Sequence, residues 1–248
     1  MHIYCVNLPS STERRARMEN RFRYHNLLDQ VTFVDGINWD DPIIDRYNYG
    51  REGDDINDIV WRKGYGCFIG HLKAIRTFLE TTDESVEGAY FCEDDIMLVN
   101  NFKDALVEMW HNAPDNVTLI SLSYMLVNGT GCQPVGKYHK ESFFTISPEY
   151  HFGCQLYWLS RNYAKYALEK FDRPFKQLDE EGYLRSSEVI IKRSGGVFYS
   201  FKLAVEECID SDRQPLDVPY HKNHFFNHLR LYNAADVELV ERQLANWH

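Results

Sequence analysis

The most informative stretch of this chain is Tyr90-Phe91-Cys92-Glu93-Asp94-Asp95-Ile96-Met97-Leu98-Val99. Three consecutive acidic residues there interrupt an apolar run of strand length. Such a run is typical of a buried strand in an α/β sheet, and these sheets bind ligands at the carboxyl ends of their strands. Carboxylate oxygens suit Mg²⁺ or Mn²⁺, which proteins often share with substrate phosphates. The stretch therefore predicts either a divalent-metal site in an enzyme that uses a nucleotide or nucleotide sugar, or a solvated acidic turn.

The composition indicates a globular chain with a sizeable core. Its 248 residues are 26% charged and 15% aromatic, and the aromatic content would allow a homodimer surface. The formal net charge of -10 argues against nonspecific binding to nucleic acid or to an anionic membrane, because both need a basic surface. Because the sequence has no apolar run of transmembrane length and no signal-peptide core, we expect a cytoplasmic or otherwise soluble protein.

The cysteines do not indicate a zinc site or a disulfide framework. There are six, they are widely scattered, and none forms a Cys-x-x-Cys pair. Most lie among apolar residues, so we interpret them as reduced thiols of the core. They are Cys5, Cys67, Cys92, Cys132, Cys154 and Cys208.

Strand-like and helix-like patterns alternate along the chain, which predicts one α/β domain with a mainly parallel central sheet. We predict strands at residues 3–7, 31–34, 90–93, 117–122, 155–159 and 197–201. Helices are predicted from a capping box of Ser10 and Glu13 to about Tyr24, from Gly66 onward, and over residues 102–110, 161–171 and 237–247. The polar stretch from residue 38 to residue 58 has no clear period and is predicted to be a loop.

Four separated motifs together resemble one known family, glycosyltransferase family 25, which includes lipooligosaccharide galactosyltransferases and procollagen galactosyltransferase-like proteins. Their order and spacing over the first hundred residues carry the resemblance, and the later half matches the family only loosely. Gly70 departs from the family pattern, which usually has Ser before the His. The motifs are Val6-Asn7-Leu8-Pro9 followed by Glu13-Arg14-Arg15, Val34-Asp35-Gly36, Gly64-Tyr65-Gly66-Cys67-Phe68-Ile69-Gly70-His71, and Phe91-Cys92-Glu93-Asp94-Asp95-Ile96.

The resemblance implies a GT-A-type fold, a single Rossmann-like α/β domain over residues 1–248. Residues 1–125 would form the nucleotide-sugar-binding half and residues 126–248 the acceptor-binding half. The implied reaction is transfer of galactose or glucose from a UDP-sugar, with Mn²⁺ or Mg²⁺ and with inversion. The implied acceptor is a glycan, such as a lipopolysaccharide sugar, or a protein with a hydroxylysine-type side chain. These are properties of the family that we expect in this chain.

Glu93, Asp95 and His221 are the predicted metal ligands. Alternation along a strand would place positions 93 and 95 on one side and Asp94 on the other, so Asp95 is the preferred first ligand and Asp94 the more replaceable acid at the donor site. If the chain turns at residue 93, this alternation fails. A late histidine completes the metal shell in many GT-A enzymes, which suggests His221. The alternatives are His224, His228, Asp210 and Asp212.

The general base needed for inversion is predicted to be Glu188. The base would take the proton of the acceptor hydroxyl while the anomeric carbon is attacked from the face opposite the diphosphate. Glu188 begins an apolar run where the family has an acid followed by apolar residues. Asp179 and Glu181 are nearby alternatives.

Donor binding is predicted at the end of the first strand and at the turn after the second. The helix that follows the first strand could direct its amino end or an arginine at the nucleotide. Lys63 and His71 flank the predicted start of the Gly66 helix, and the family pattern suggests that His71 orients the acidic strand end. The predicted residues are Asn7, Leu8, Pro9, Arg14 or Arg15, Asp35, Gly36, Lys63, His71 and Asp94.

Two other classes of protein compete with an active transferase. A catalytically inactive transferase-like module could bind sugar or protein, but the intact acids at residues 93–95 count against it. A metal-dependent nucleotidyltransferase or phosphohydrolase could share the same sheet. Against that class, the chain has no Gly-x-x-x-x-Gly-Lys-Ser loop.

Overall fold

A computed structural model of the chain describes residues 1–47, 59–126, 132–134, 143–146, 151–174, 177, 189–190, 197–199 and 203–206. The strands within them are β1 (Ile3–Asn7), β2 (Val31–Asp35), β3 (Gly88–Glu93), β4 (Ile96–Leu98), β5 (Leu119–Leu126), β6 (Cys132–Pro134), β7 (Phe143–Ile146), β8 (His151–Ser160), β9 (Val197–Tyr199) and β10 (Ala204–Glu206). The helices are α1 (Thr12–Tyr24), α2 (Ile43–Tyr47), α3 (Ile59–Thr81), α4 (Phe102–Asn112) and α5 (Arg161–Phe171), with a short 3-10 helix at Leu28–Gln30.

Most strands of the main sheet run in one direction. Its order is β2-β1-β3-β8-β5-β9-β7-β6, and the pairings give β2, β3, β5, β6 and β9 the direction of β1. Among the described strands of this sheet, only β7 and β8 run in the opposite direction. The predicted α/β domain with a mainly parallel sheet is therefore confirmed. The antiparallel position of β8 between β3 and β5 was not predicted.

The main sheet has helices on both faces because its central strands are apolar on both sides. Ile3 and Cys5 of β1 pack into one core with Phe22 of α1, whereas Tyr4 packs on the opposite side with Phe78 of α3. Helices α1 and α4 cover the first face, and α3 and α5 cover the second. This two-sided burial explains why β1 and β3 read as continuous apolar runs.

Helix α3 begins at Ile59, seven residues before the predicted start at Gly66. The predicted start was too late because the apolar stripe that indicated the helix, from Phe68 to Leu79, does not extend into its first two turns. A side chain at Gly66 would place its Cβ 2.4 Å from the carbonyl oxygen of Ile37. Glycine at this position therefore allows close packing of α3 on the chain after β2, at the cost of a lower helix propensity.

The predicted capping box of Ser10 and Glu13 is also wrong. Helix α1 begins at Thr12, with Ser11 as its N-cap and without a side-chain capping hydrogen bond. The Ser11 amide instead donates to the Leu8 carbonyl at 2.8 Å, which forms a tight turn between β1 and α1. This turn moves the start of the helix one residue beyond the predicted cap.

Other predictions differ in extent. The strand predicted at residues 117–122 is β5, from Leu119 to Leu126. The stretch predicted to be a loop contains α2 in its described part, and the strand predicted at residues 155–159 is the longer β8. The helices predicted at residues 102–110 and 161–171 are confirmed as α4 and α5. The predicted helix at residues 237–247 lies outside the described residues. None of the described helices combines the length and the apolar character that a membrane span requires.

Candidate functional site

The carboxyl ends of β1, β2 and β3 meet at one edge of the sheet. The three strands are parallel, with Asn7 of β1 beside Asp35 of β2 and Val6 of β1 beside Glu93 of β3. Each of the three strands therefore ends with a polar side chain, Asn7 and Asp35 at one level and Glu93 one residue earlier. This edge is where parallel α/β sheets place their ligands.

The acidic residues divide into two groups because the chain turns after Glu93. Strand β3 ends at that residue, Asp94 and Asp95 form a turn, and β4 begins at Ile96. Strand alternation therefore does not apply across the three acids, and this corresponds to the alternative in which Asp94 returns to the site. Asp94 and Asp95 share one environment, and Glu93 has another.

Asp94 and Asp95 are buried carboxylates that share a guanidinium group. Arg14 Nη1 lies 3.2 Å from Asp94 Oδ1 and 3.3 Å from Asp95 Oδ2. Asn7 Nδ2 donates a hydrogen bond of 2.6 Å to Asp94 Oδ2. The two acids are only 7% and 9% exposed, and Arg14 offsets one of their two negative charges, so a net negative charge lies in a poorly solvated place. Such an arrangement favours a cationic ligand.

Helix α1 positions Arg14 for this contact and turns its neighbour away. Arg15 lies over the ring of Phe33, with the guanidinium carbon 3.5 Å from the ring centroid, and pairs with Glu19 at 2.7 Å. Of the two arginines considered in the sequence, Arg14 contacts the acidic turn. The difference follows from the rotation of successive residues around the helix.

Glu93 contacts a buried network of α3 and β8. His71 Nε2 lies 3.4 Å from Glu93 Oε1, and Cys67 donates to the same oxygen at 3.5 Å. His71 Nδ1 lies 2.8 Å from the hydroxyl of Tyr157. Burial raises the pKa of Tyr157 well above its ordinary value, so the phenol is neutral at physiological pH. The His71 ring therefore has a partner at each of its two nitrogens, Tyr157 at Nδ1 and Glu93 at Nε2, and these contacts fix its orientation.

The turn after β2 packs against the end of β1. The Gly36 amide donates to the Asn7 carbonyl at 2.8 Å, and Lys73 of α3 donates to the Asp35 carbonyl at 2.8 Å. A Cβ at Gly36 would lie 3.3 Å from Leu8 Cδ2. The backbone of this turn thus lies directly against the turn that precedes α1, at the carboxyl edge of the sheet.

The predicted site residues are only partly brought together within the described chain. Those at the carboxyl edge are Asn7, Leu8, Pro9, Arg14, Asp35, Gly36, Glu93, Asp94 and Asp95, with His71 directly beneath Glu93. Lys63 is exposed near the start of α3. Outside the described residues lie the predicted base Glu188 with its alternatives Asp179 and Glu181, and the metal-ligand candidates His221, His224, His228, Asp210 and Asp212.

Sequence reasoning missed Cys67 and Tyr157 as partners of the acidic strand end. Cys67 and His71 are four residues apart and therefore share a face of α3, which is a pattern that could have been noticed. Tyr157 follows His71 by 86 residues, so its contact depends on the position of β8 and has no local sequence pattern.

The two groups differ in the ions that they could hold. Asp94 and Asp95 offer only carboxylate oxygens, which suit Mg²⁺ or Mn²⁺. Cys67, His71 and Glu93 offer sulfur, nitrogen and oxygen atoms that all lie within 4.8 Å of one another. A mixed set of this kind is better suited to a softer ion.

Comparisons with known proteins point to sugar-transferring enzymes. The profile of the family described as "Glycosyltransferase family 25 (LPS biosynthesis protein)" matches residues 1–180. A relative described as "Putative glycosyltransferase R655", from Acanthamoeba polyphaga mimivirus, is 28% identical over 154 residues. That match covers 60% of this chain and 45% of the relative, so the chain spans less than half the length of the curated relative.

Among the solved structures that resemble the chain, two glycosyltransferases have low sequence identity to it. One is a glycosyltransferase involved in the glycosylation of the major capsid of PBCV-1, with a TM-score of 0.36, 10% identity, and coverage of 91% of this chain and 98% of that one. The other is the galactosyltransferase LgtC in complex with donor and acceptor sugar analogs, with a TM-score of 0.38, 9% identity, and coverage of 77% and 69%. Both TM-scores are low, so the fold assignment rests on the strands and helices described above.

Proposed function

This chain belongs to glycosyltransferase family 25, and from that membership we propose that it transfers galactose or glucose from a UDP-sugar to an acceptor hydroxyl. The proposed reaction inverts the anomeric carbon and depends on a divalent metal ion. The observation that carries the proposal is the buried turn of Asp94 and Asp95 at the edge where β1, β2 and β3 end. Two buried carboxylates at a ligand-binding edge fit a cation that is shared with a diphosphate.

Mn²⁺ or Mg²⁺ is the proposed ion, with Asp95 as its principal protein ligand. When bound, such an ion supplies positive charge to the departing diphosphate without transferring a proton. Glu93 and His221 complete the predicted ligand set. In the described structure Glu93 is engaged by Cys67 and His71, which favours Asp95 and its neighbour Asp94 for the donor. The oxygen-only chemistry of these two acids fits both ions.

Several residues of the chain would bind and orient the donor. Arg14 carries a positive charge at the acidic turn, where it can approach a phosphate and also keep the two carboxylates in place. Asn7 holds Asp94 in one orientation through its 2.6 Å hydrogen bond. The backbone around Leu8 and Gly36 forms the edge against which the nucleoside would lie. Pro9, Asp35 and Lys63 remain donor-site predictions.

The proposed general base is Glu188, with Asp179 and Glu181 as alternatives. Direct displacement with inversion needs one carboxylate that accepts the proton of the acceptor hydroxyl as the new glycosidic bond forms and the bond to the diphosphate breaks. The proposed acceptor is a glycan hydroxyl or the hydroxyl of a hydroxylysine-type side chain. This class of acceptor follows the family, which includes enzymes that act on both kinds of molecule.

The decisive experiment is a UDP-release assay with Mn²⁺ and a panel of UDP-sugars. We expect slow hydrolysis of UDP-galactose or UDP-glucose that needs the metal and that Asp95→Ala lowers by at least about 100-fold. Asp104→Ala is the matched control, because Asp104 is an exposed acid of α4. Equal release in the presence of EDTA would contradict the metal requirement. UDP-sugar binding without any release would instead support the inactive transferase-like module.

A further inference from the structure

We propose that Cys67, His71 and Glu93 form a second metal site, one that takes Zn²⁺ or a similar borderline-soft divalent ion. Helix α3 supplies the thiol and the imidazole, and the end of β3 supplies the carboxylate. In this proposal Glu93 is a ligand of the second site and no longer of the donor metal, which is left to the Asp94 and Asp95 turn, and the second site does not depend on sugar transfer.

The distances between the three ligand atoms fit a tetrahedral ion. Bonds to zinc of about 2.0 Å from nitrogen or oxygen and about 2.3 Å from sulfur place tetrahedral ligand atoms roughly 3.3–3.6 Å apart. In this structure His71 Nε2 and Glu93 Oε1 are 3.4 Å apart, and Cys67 Sγ and the same oxygen are 3.5 Å apart. All three atoms lie within 4.8 Å, so small side-chain rotations would complete the geometry.

The surroundings of His71 also match those of a metal-binding histidine. A ligating imidazole usually forms a hydrogen bond through its second nitrogen, which fixes the ring and the tautomer. His71 is fully buried, and its Nδ1 lies 2.8 Å from the hydroxyl of Tyr157. Nε2 is thereby directed at Glu93. Cys67 and the Glu93 carboxylate, whose side chain is 18% exposed, provide the side from which an ion and its water could enter.

The ligand types separate this site from the donor site. Mg²⁺ and Mn²⁺ prefer oxygen ligands, whereas a thiolate with an imidazole selects zinc and related ions. Binding would release the Cys67 proton to solvent, so that the thiolate and carboxylate together balance the charge of a divalent ion. Bound zinc would tie α3 to the last residue of β3, immediately before the acidic turn. The competing interpretation is a network without metal, in which Cys67 and His71 only hydrogen-bond to Glu93.

Cobalt(II) distinguishes these interpretations because a cobalt–thiolate bond produces a near-ultraviolet charge-transfer absorption that hydrogen bonds do not. We would treat the full chain with a chelator, remove the chelator, and titrate with Co²⁺ and then with Zn²⁺. We expect one equivalent of the thiolate band in the wild type and its loss when Zn²⁺ displaces Co²⁺. Absence of a thiolate band from the folded wild-type protein would overturn the proposal.

Three substitutions test the assignment to these residues. Cys67→Ser should abolish the band, and Tyr157→Phe, which removes only the hydroxyl beside Nδ1, should weaken Co²⁺ binding by about 10–100-fold. Asp95→Ala should leave the band unchanged, which separates failure of this proposal from failure of the proposed transferase activity. Circular dichroism would confirm that each variant is folded. A full band in folded Cys67→Ser would place the thiolate ligand elsewhere and would refute the site.

Discussion

Glu93, Asp94 and Asp95 are adjacent in sequence, but their carboxylates have different partners. Glu93 contacts a thiol and an imidazole, whereas Asp94 and Asp95 share the guanidinium of Arg14. A single backbone turn produces this separation, because it ends the strand before the second acid. Substitutions at these three positions are therefore expected to have different effects, although the residues look alike in the sequence.

The proposed base gives the first prediction at the scale of single residues. Glu188→Gln keeps the size of the side chain but removes its ability to accept a proton. We expect transfer to fall by about 100-fold or more while donor binding changes little. The measurement is kcat for transfer together with the Kd of UDP. Unchanged kcat would mean that Glu188 is not the general base and would favour Asp179 or Glu181. The variants Asp179→Asn and Glu181→Gln serve as comparisons.

The second prediction concerns the dependence of stability on pH. Burial raises the pKa of Tyr90 from its ordinary value of 10.0 to about 12, against the opposing effect of the hydrogen bond from Trp110. Since the folded-state pKa is the higher one, the unfolded chain loses its proton first. The contribution of Tyr90 to the free energy of unfolding is fully present below pH 10. It is lost as the pH rises toward 12, and the loss is at most about 3 kcal/mol.

Tyr90→Phe isolates this contribution from that of other groups. The phenylalanine preserves the ring but cannot ionise, and Trp110 is exposed enough to hydrogen-bond to water instead. Urea unfolding of both proteins across the alkaline range should show the wild type losing stability relative to Tyr90→Phe. Parallel curves for the two proteins would contradict the shifted pKa of Tyr90.

Helix α3 supplies a matched pair of glycines for a prediction at the scale of elements. A Cβ at Gly66 would lie 2.4 Å from the backbone oxygen of Ile37, whereas a Cβ at Gly64 would have nothing within 4 Å. We expect Gly66→Ala to lower the free energy of unfolding by about 1–3 kcal/mol, because backbone must move. Gly64→Ala should raise it by about 0.5–1 kcal/mol.

Urea unfolding of the two alanine variants provides the measurement. Each variant is the control for the other, because the expected changes in the free energy of unfolding have opposite signs. Both substitutions add the same methyl group to the same helix, so their effects on helix propensity are alike. Only the contact with the chain after β2 differs. Equal changes at the two positions would mean that α3 does not approach Ile37 closely.

Local patterns predicted the elements whose residues form a continuous apolar run or a periodic apolar stripe. Strands β1 and β3 were recognisable from apolar runs, and α5 from its buried stripe. Two features were not accessible in this way. The position of β8 depends on pairing with Gly88 to Cys92, far away along the chain, and the role of Gly66 within α3 depends on the approach of Ile37. Such nonlocal contacts override local propensity.

The same limit applies to the candidate site. The acidic strand end and the turn at Asp35 and Gly36 were visible as motifs, because each is a short segment with a defined backbone role. The choice of Arg14 over Arg15 required the rotation of α1, and the contact between Tyr157 and His71 required the sheet order. Sequence thus predicted the edge of the sheet that carries the site but not the partners of each side chain.

At the scale of the whole molecule, donor binding should stabilise the folded state. A ligand that binds only the folded protein adds about 2.7 kcal/mol when its concentration is 100 times its Kd. For a chain of this size the melting temperature should rise by on the order of 5–10 °C. We therefore expect UDP with Mn²⁺ to raise the melting temperature of the wild type.

A thermal-shift measurement would check this expectation without requiring the acceptor. UDP alone and Mn²⁺ alone should have smaller effects than the two together, since the acidic turn is proposed to bind the pair. Asp95→Ala should lose most of the shift, and Asp104→Ala should retain it. A shift that is the same in Asp95→Ala would show that the nucleotide binds without this acid.

The antiparallel strand β8 has a consequence for how the protein is made. Gly88 of β3 pairs with Ser160 of β8, and Cys92 pairs with Leu156, so the ribosome completes β3 well before its partner emerges. During this interval one edge of an apolar strand has unpaired backbone groups, which can capture other nascent chains. The edge of β3 that later pairs with β8 therefore stays open to pairing with other chains until residue 160 has left the exit tunnel.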